Sequence, residues 1–86
     1  MHPSEQVGYR YYLRGYDGGG DLRFQIPSSR KHLTIARSIF DLGGPAGGVG
    51  RWKIVEEMWP ELAYALDWPE RQGDLEYFIE SDPVDG

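Results

Sequence analysis

Val7, Tyr9, Tyr11 and Leu13 alternate with Gly8, Arg10, Tyr12 and Arg14, and beyond Asp17-Gly18-Gly19-Gly20-Asp21 the alternation resumes as Leu22, Phe24 and Ile26 opposite Asp21, Arg23 and Gln25. Successive side chains on a strand point to opposite faces, so a period of two marks a strand that is apolar on one side only. The intervening glycines tolerate the positive φ of a tight connection, and the whole segment is predicted to be a β-hairpin. A sheet with one apolar face must be covered on that face, and the rest of the chain is expected to supply the cover.

Pro27 ends the second strand, and Ser28 or Ser29 can cap a helix by accepting a hydrogen bond from an otherwise orphaned backbone amide. At 100° per residue, Leu33, Ile35, Ala36, Ile39, Phe40 and Leu42 fill one half of that helix, with Arg30, Lys31, Thr34, Arg37, Ser38 and Asp41 on the other. The helix is predicted to run to Leu42 and to end at Gly43-Gly44, and residues 43–50 form a flexible Gly-rich loop. Arg51 to Met58 suits either a strand or a helix. The strand is favoured because Trp52 and Ile54 alternate with Lys53 and Val55.

Trp59, Leu62, Ala63 and Leu66 recur at i, i+3, i+4 and i+7, with Pro60 acceptable in the first turn, which predicts a short helix from Trp59 to Asp67. After Glu70-Arg71-Gln72-Gly73, a last strand places Leu75, Tyr77 and Ile79 opposite Asp74, Glu76, Phe78 and Glu80. Residues 1–6 and 81–86 are expected to be frayed ends. The order is ββαβαβ, an α+β domain with a small, four-stranded, mainly antiparallel sheet, one amphipathic helix packed on it and a second short helix. The order of the strands within the sheet stays open.

With 86 residues, 40% of them hydrophobic, the chain is expected to form a single domain with one small core, in which the aromatics weigh heavily. It contains no cysteine, so no disulfide or thiolate site holds it together. The start carries no signal-peptide pattern and no apolar run approaches the length of a membrane span, so the expected location is cytoplasmic, with no membrane partner.

Charge is sorted along the sequence. Residues 1–55 carry eight Lys/Arg against four Asp/Glu, a net +4, and residues 56–86 carry one against ten, a net −9. Such asymmetry speaks to partners rather than to fold. Asp74, Glu76 and Glu80 are expected on one face of the last strand, at roughly 6.8 Å per two residues, close to the charge repeat of a nucleic-acid backbone. Glu56, Glu57, Glu61, Asp67 and Glu70 add to the same acidic end. These eight residues are the candidate partner-binding set, suited to a protein with a basic surface.

The alternative is a nucleic-acid interface at the hairpin, where Arg10, Tyr12 and Arg14 lie beside Arg23 and combine phosphate contacts with stacking. No RNA-recognition strand motif is present and the sequence pI is about 4.8, so nucleic acid ranks below protein as a partner. The opposite charges can also meet, either between two copies in a homodimer or within one molecule, with Arg10 or Arg51 facing Glu76 or Glu80.

Catalytic and cofactor chemistry finds little support. The glycines of 43–50 follow a helix and lead into Arg51-Trp52, whereas a phosphate loop leads from a strand into a helix. Asp17 and Asp21 flank three glycines but lack the further carboxylates of a calcium loop. His2 and His32 have no metal-spaced companion, and Glu56 and Glu57, adjacent on the expected strand, point apart. The chain is therefore expected to have no catalytic residues, metal or cofactor. The function expected is that of a small non-enzymatic binding protein, a stoichiometric inhibitor of a nucleic-acid-handling partner. Antitoxin or immunity proteins and phage anti-restriction or anti-CRISPR proteins are the pattern, by association of size and charge.

Overall fold

The computed structural model describes residues 8–44 and 49–84. The hairpin is β1 (Tyr9–Tyr16) and β2 (Leu22–Pro27), in antiparallel register with Leu13 opposite Ile26 and Gly15 opposite Phe24. A bulge falls between Gly15 and Tyr16. Asp17 organises the turn, its side chain accepting from the amides of Gly19 (2.9 Å) and Asp21 (3.0 Å) and pairing with Arg23 at 2.8 Å.

Ser29, rather than Ser28, caps α1 (Arg30–Ile39), its hydroxyl accepting from the His32 amide at 3.0 Å. The helix stops three residues before the expected Leu42. Ser38 turns its hydroxyl onto the Ile35 carbonyl at 2.7 Å, which satisfies a last-turn acceptor locally, and Phe40 is already extended at φ −131°, ψ 149°. Gly43 and Gly44 do take positive φ, 69° and 73°, but in the loop after the helix.

The segment 51–58 divides. β3 (Arg51–Ile54) is the expected strand, while Glu56–Met58 is a 3-10 turn feeding directly into α2 (Trp59–Leu66), with Pro60 near its start. Glu56 and Glu57 therefore follow a helical turn and do not alternate as on a strand. Asp67 closes α2 in the left-handed conformation (φ 58°), and the Trp68 amide bonds back to the Ala63 carbonyl at 3.0 Å.

The last strand, β4 (Glu76–Pro83), begins two residues after Asp74 and runs beyond Glu80. Ser81 fastens the return of the loop, donating its amide to the Gly50 carbonyl (2.9 Å) and accepting from the Gly50 amide on its hydroxyl (2.7 Å). The strand boundary expected at Glu80 is thus corrected to Pro83, because Asp82 and Pro83 still pair with Arg10 and Tyr9. Residues 1–6, 45–48 and 85–86 of the expected frayed and flexible segments lie outside the described residues.

The strand order is β2-β1-β4-β3 and all three pairings are antiparallel. This is the α+β, ββαβαβ domain read from the sequence. Leu13, Ile79 and Trp52 form one cross-strand row and Gly15, Tyr77 and Ile54 the next, all on the face covered by Leu33 and Ala36 of α1 and Trp59, Leu62 and Leu66 of α2. Aromatic rings lock the α2 side, with Trp59 at 4.9 Å from Trp68 and 4.5 Å from Tyr77 between centroids.

Candidate functional site

Among the described residues no helix lies over the second face of the sheet, and the two halves of the charge pattern meet there. The register puts Glu80 opposite Tyr12 on one side and Arg51 on the other. Its carboxylate accepts from Arg14 Nη1 at 2.9 Å and Tyr16 Oη at 2.6 Å through one oxygen, and from Arg51 Nη2 at 3.0 Å through the other. Glu80 is consequently buried, 8% exposed, although it lies on the uncovered face.

Arg14 is engaged on every nitrogen. Nε donates to Gln25 at 2.7 Å, Nη1 to Asp82 at 3.1 Å as well as to Glu80, and Nη2 to the second oxygen of Asp82 at 2.5 Å. The Arg14 guanidinium also lies 4.5 Å from the Tyr12 ring centroid, and that of Arg51 lies 3.9 Å from Phe78. These ties shift the titrations as charge pairing requires. Hydrogen bonding to Asp82 raises Arg14 above its ordinary value despite partial burial, and the same bond holds Asp82 below the usual carboxylate range. Asp17 is lowered by Arg23 and by the backbone amides it accepts from. Burial, then the bond to Glu80, pushes the Tyr16 phenol up.

Along this face runs an open trough of about 950 Å³ lined by Tyr16, Arg51, Glu76, Phe78, Glu80 and Asp82 among others. Its charged groups largely satisfy one another: Asp17 with Arg23, Glu76 with Lys53 at 3.6 Å, and Glu80 and Asp82 with arginines.

The other candidate carboxylates behave differently. Glu56 and Glu57 lie on the 3-10 turn, Glu61 in the first turn of α2, Asp67 at its C-cap, and Glu70 and Asp74 in the connection to β4. All six are exposed, and no ion pair among the described residues engages any of them. One groove of about 510 Å³ is lined by Glu56 and Glu70 together with Trp59, Trp68, Ala63 and Arg71. Trp59 and Trp68 are each more than nine-tenths buried, so they present edges rather than free rings.

The eight expected partner-binding residues therefore fall into two sets. Glu76 and Glu80 belong to the sheet face, and Glu80 is unavailable to a partner. The remaining six surround the helical end. Of the alternative set, Arg14 and Arg23 are ion-paired, Tyr12 stacks under Arg14, and Arg10 is exposed at the start of β1 opposite Asp82. Arg23 does not stand beside Arg14 as expected: the register sets Gln25 opposite Arg14, and Arg23, unpaired at the bulge in β2, is held by Asp17.

Sequence reasoning missed Asp82 and Tyr16 as members of the sheet network. Continuing the β4 alternation past Glu80 would have found Asp82, whereas the Tyr16 contact depends on register. Among the described residues no group of three or more His, Asp or Glu side chains is placed to hold a metal ion. No helix among them is long and apolar enough to cross a membrane.

The fold and these surfaces define a small α+β domain with a self-neutralised sheet face and an acidic helical end. No family model, curated protein or solved structure matches the chain.

Proposed function

We propose that the chain is a non-enzymatic protein-binding module whose acidic helical end, residues 56–74, docks on a basic surface of another protein and occludes it, as a stoichiometric inhibitor of a nucleic-acid-handling partner would. The observation that carries this reading is a contrast among the described acids. Asp17, Glu76, Glu80 and Asp82 are matched by cations of the same molecule, whereas Glu56, Glu57, Glu61, Asp67, Glu70 and Asp74 are exposed and, among the described residues, unpaired, and they cluster within residues 56–74, unlike the isolated exposed acids Asp21 and Asp41. Unmatched charge of one sign on one end steers encounter with a surface of the opposite sign. The nucleic-acid reading has less support, since a phosphate would have to displace Asp82 and Glu80 from Arg14 and Asp17 from Arg23.

The test is fluorescence anisotropy of a labelled deca-arginine peptide, and of labelled single-stranded DNA and RNA, at low and physiological salt. Salt-sensitive binding of the peptide and none of the nucleic acids is expected. Glu57→Lys with Glu61→Lys should weaken peptide binding at least tenfold, an estimate of about 1.4 kcal/mol. Asp21→Lys with Asp41→Lys changes the net charge equally at two other exposed acids and should have a much smaller effect. Equal weakening by both pairs would show that net charge alone acts, and the reading would fall.

A further inference from the structure

We infer that the groove lined by Trp59 and Trp68 is the specific seat of that interaction. It would receive an extended segment of the partner polypeptide, with an apolar side chain over the tryptophan edges and a Lys or Arg side chain beside Glu56 and Glu70. The inference rests on the proposed binding of a basic partner and adds the chemistry of the segment recognised.

Two independent features point to this groove. The first is its chemical make-up: Trp59, Trp68 and Ala63 share one lining with two exposed carboxylates, Glu56 and Glu70, at the end of the molecule where exposed acids cluster. An apolar side chain adjoining a cation matches that make-up, whereas an acidic segment meets repulsion from Glu56 and Glu70, two carboxylates against the single cation Arg71 on the lining. The second is Arg71. Its Nε is the one buried side-chain nitrogen or oxygen among the described residues with no hydrogen-bond partner. A buried polar donor ordinarily has an acceptor.

Arg71 is otherwise tied by a long contact from Nη2 to the Leu75 carbonyl at 3.5 Å and by a ring contact 5.8 Å from the Tyr77 centroid. Arg71 also lines the groove, so a main-chain carbonyl of a strand laid there is the acceptor this inference assigns to Nε. The sheet-face trough offers no equivalent, because its arginines and carboxylates are already bonded to one another.

The experiment is a ¹⁵N–¹H NMR titration of the whole chain with three capped pentapeptides, Arg-Leu-Arg-Leu-Arg, Arg-Gly-Arg-Gly-Arg and Glu-Leu-Glu-Leu-Glu. The signals followed are the indole N–H groups of Trp59 and Trp68 and the Nε–H of Arg71, with the Trp52 indole, buried under α1, as reference for the fold. The leucine-spaced basic peptide should move all three signals saturably and bind at least tenfold more tightly than the glycine-spaced one, on the basis of about 1.4 kcal/mol per tenfold and the apolar area it buries. Arg71→Lys, which keeps the charge and removes Nε, should weaken it several-fold with the Trp52 signal unchanged.

Equal affinity for the two basic peptides would overturn the groove inference and leave the acidic-end reading standing. No binding of either basic peptide at low salt would remove both. Comparable binding of the glutamate peptide would overturn the assignment of a basic occupant.

Discussion

Glu80 sits on the side of β4 that alternation assigns to solvent, yet it is buried, with two arginines and a phenol on its oxygens. Replacing it with alanine leaves Arg14, only 15% exposed, without one of its two carboxylates, and leaves Tyr16 Oη without its acceptor. Breaking a buried ion pair costs about 3–5 kcal/mol, and because Arg51 stays 57% exposed and Arg14 keeps Asp82, a loss of about 2–4 kcal/mol is expected. Urea unfolding would register it as a lower midpoint at unchanged slope.

Tyr16→Phe removes one hydrogen bond and should cost about 1 kcal/mol at neutral pH. Its diagnostic effect is alkaline. The Tyr16 pKa is raised in the folded state, so its contribution is complete below the ordinary phenol value and is lost as pH rises through the folded value. The stability gap between wild type and Tyr16→Phe should therefore hold up to about pH 10, the ordinary tyrosine value, and narrow as the pH rises above it. A constant gap would mean that the phenol proton is not held by Glu80. Of these contacts the sequence offered only Arg51 facing Glu80, as one of several pairings; those of Arg14 and Tyr16 were not legible, because alternation says which face a residue occupies and nothing about which strand stands beside it.

At the scale of elements, the local patterns carried most of the fold. The alternations at 9–14, 22–26 and 75–80, and the 3.6-residue stripes at 33–39 and 59–66, are the elements observed. They failed at two places: α1 ends at Ile39, where Phe40 is already extended, and Glu56–Met58 turns helical ahead of Trp59 and Pro60. One element-level requirement hides in a residue that strand propensity disfavours. Gly15 lies in central β1 opposite both Phe24 and Tyr77, and a Cβ there would stand 3.0 Å from Tyr77 Cε2, 3.1 Å from Leu75 Cδ1 and 3.3 Å from Phe24 Cβ. The missing side chain lets the Tyr77 ring reach Phe24, with centroids 5.7 Å apart. Gly15→Ala should then destabilise by about 1–3 kcal/mol through overpacking, even though alanine outranks glycine in a strand. Thermal unfolding would show the loss, and an unchanged or higher midpoint would mean that the aromatic layer relaxes freely.

For the molecule as a whole, antiparallel pairing of the first and last strands brings the basic half of the sequence against part of the acidic half and leaves the rest of the acid at the helical end. The sequence showed the asymmetry but not which acids would be neutralised, since that depends on β4 entering between β1 and β3. Six exposed carboxylates in 19 residues repel one another, and Asp67 is placed worst of all. It stands at the negative end of the α2 dipole in a left-handed conformation that asparagine adopts equally well. Asp67→Asn should therefore stabilise the fold by a few tenths of a kcal/mol, as removal of an anion from a helix C-terminus does. If the helical end serves binding, the same substitution should weaken salt-sensitive binding of the deca-arginine peptide. Opposite movement of unfolding midpoint and affinity is expected of a charge retained for a partner at the expense of stability. If the midpoint rises while affinity is unchanged, Asp67 lies outside the interface, and the docking surface contracts to the carboxylates of the 3-10 turn, the start of α2 and the groove.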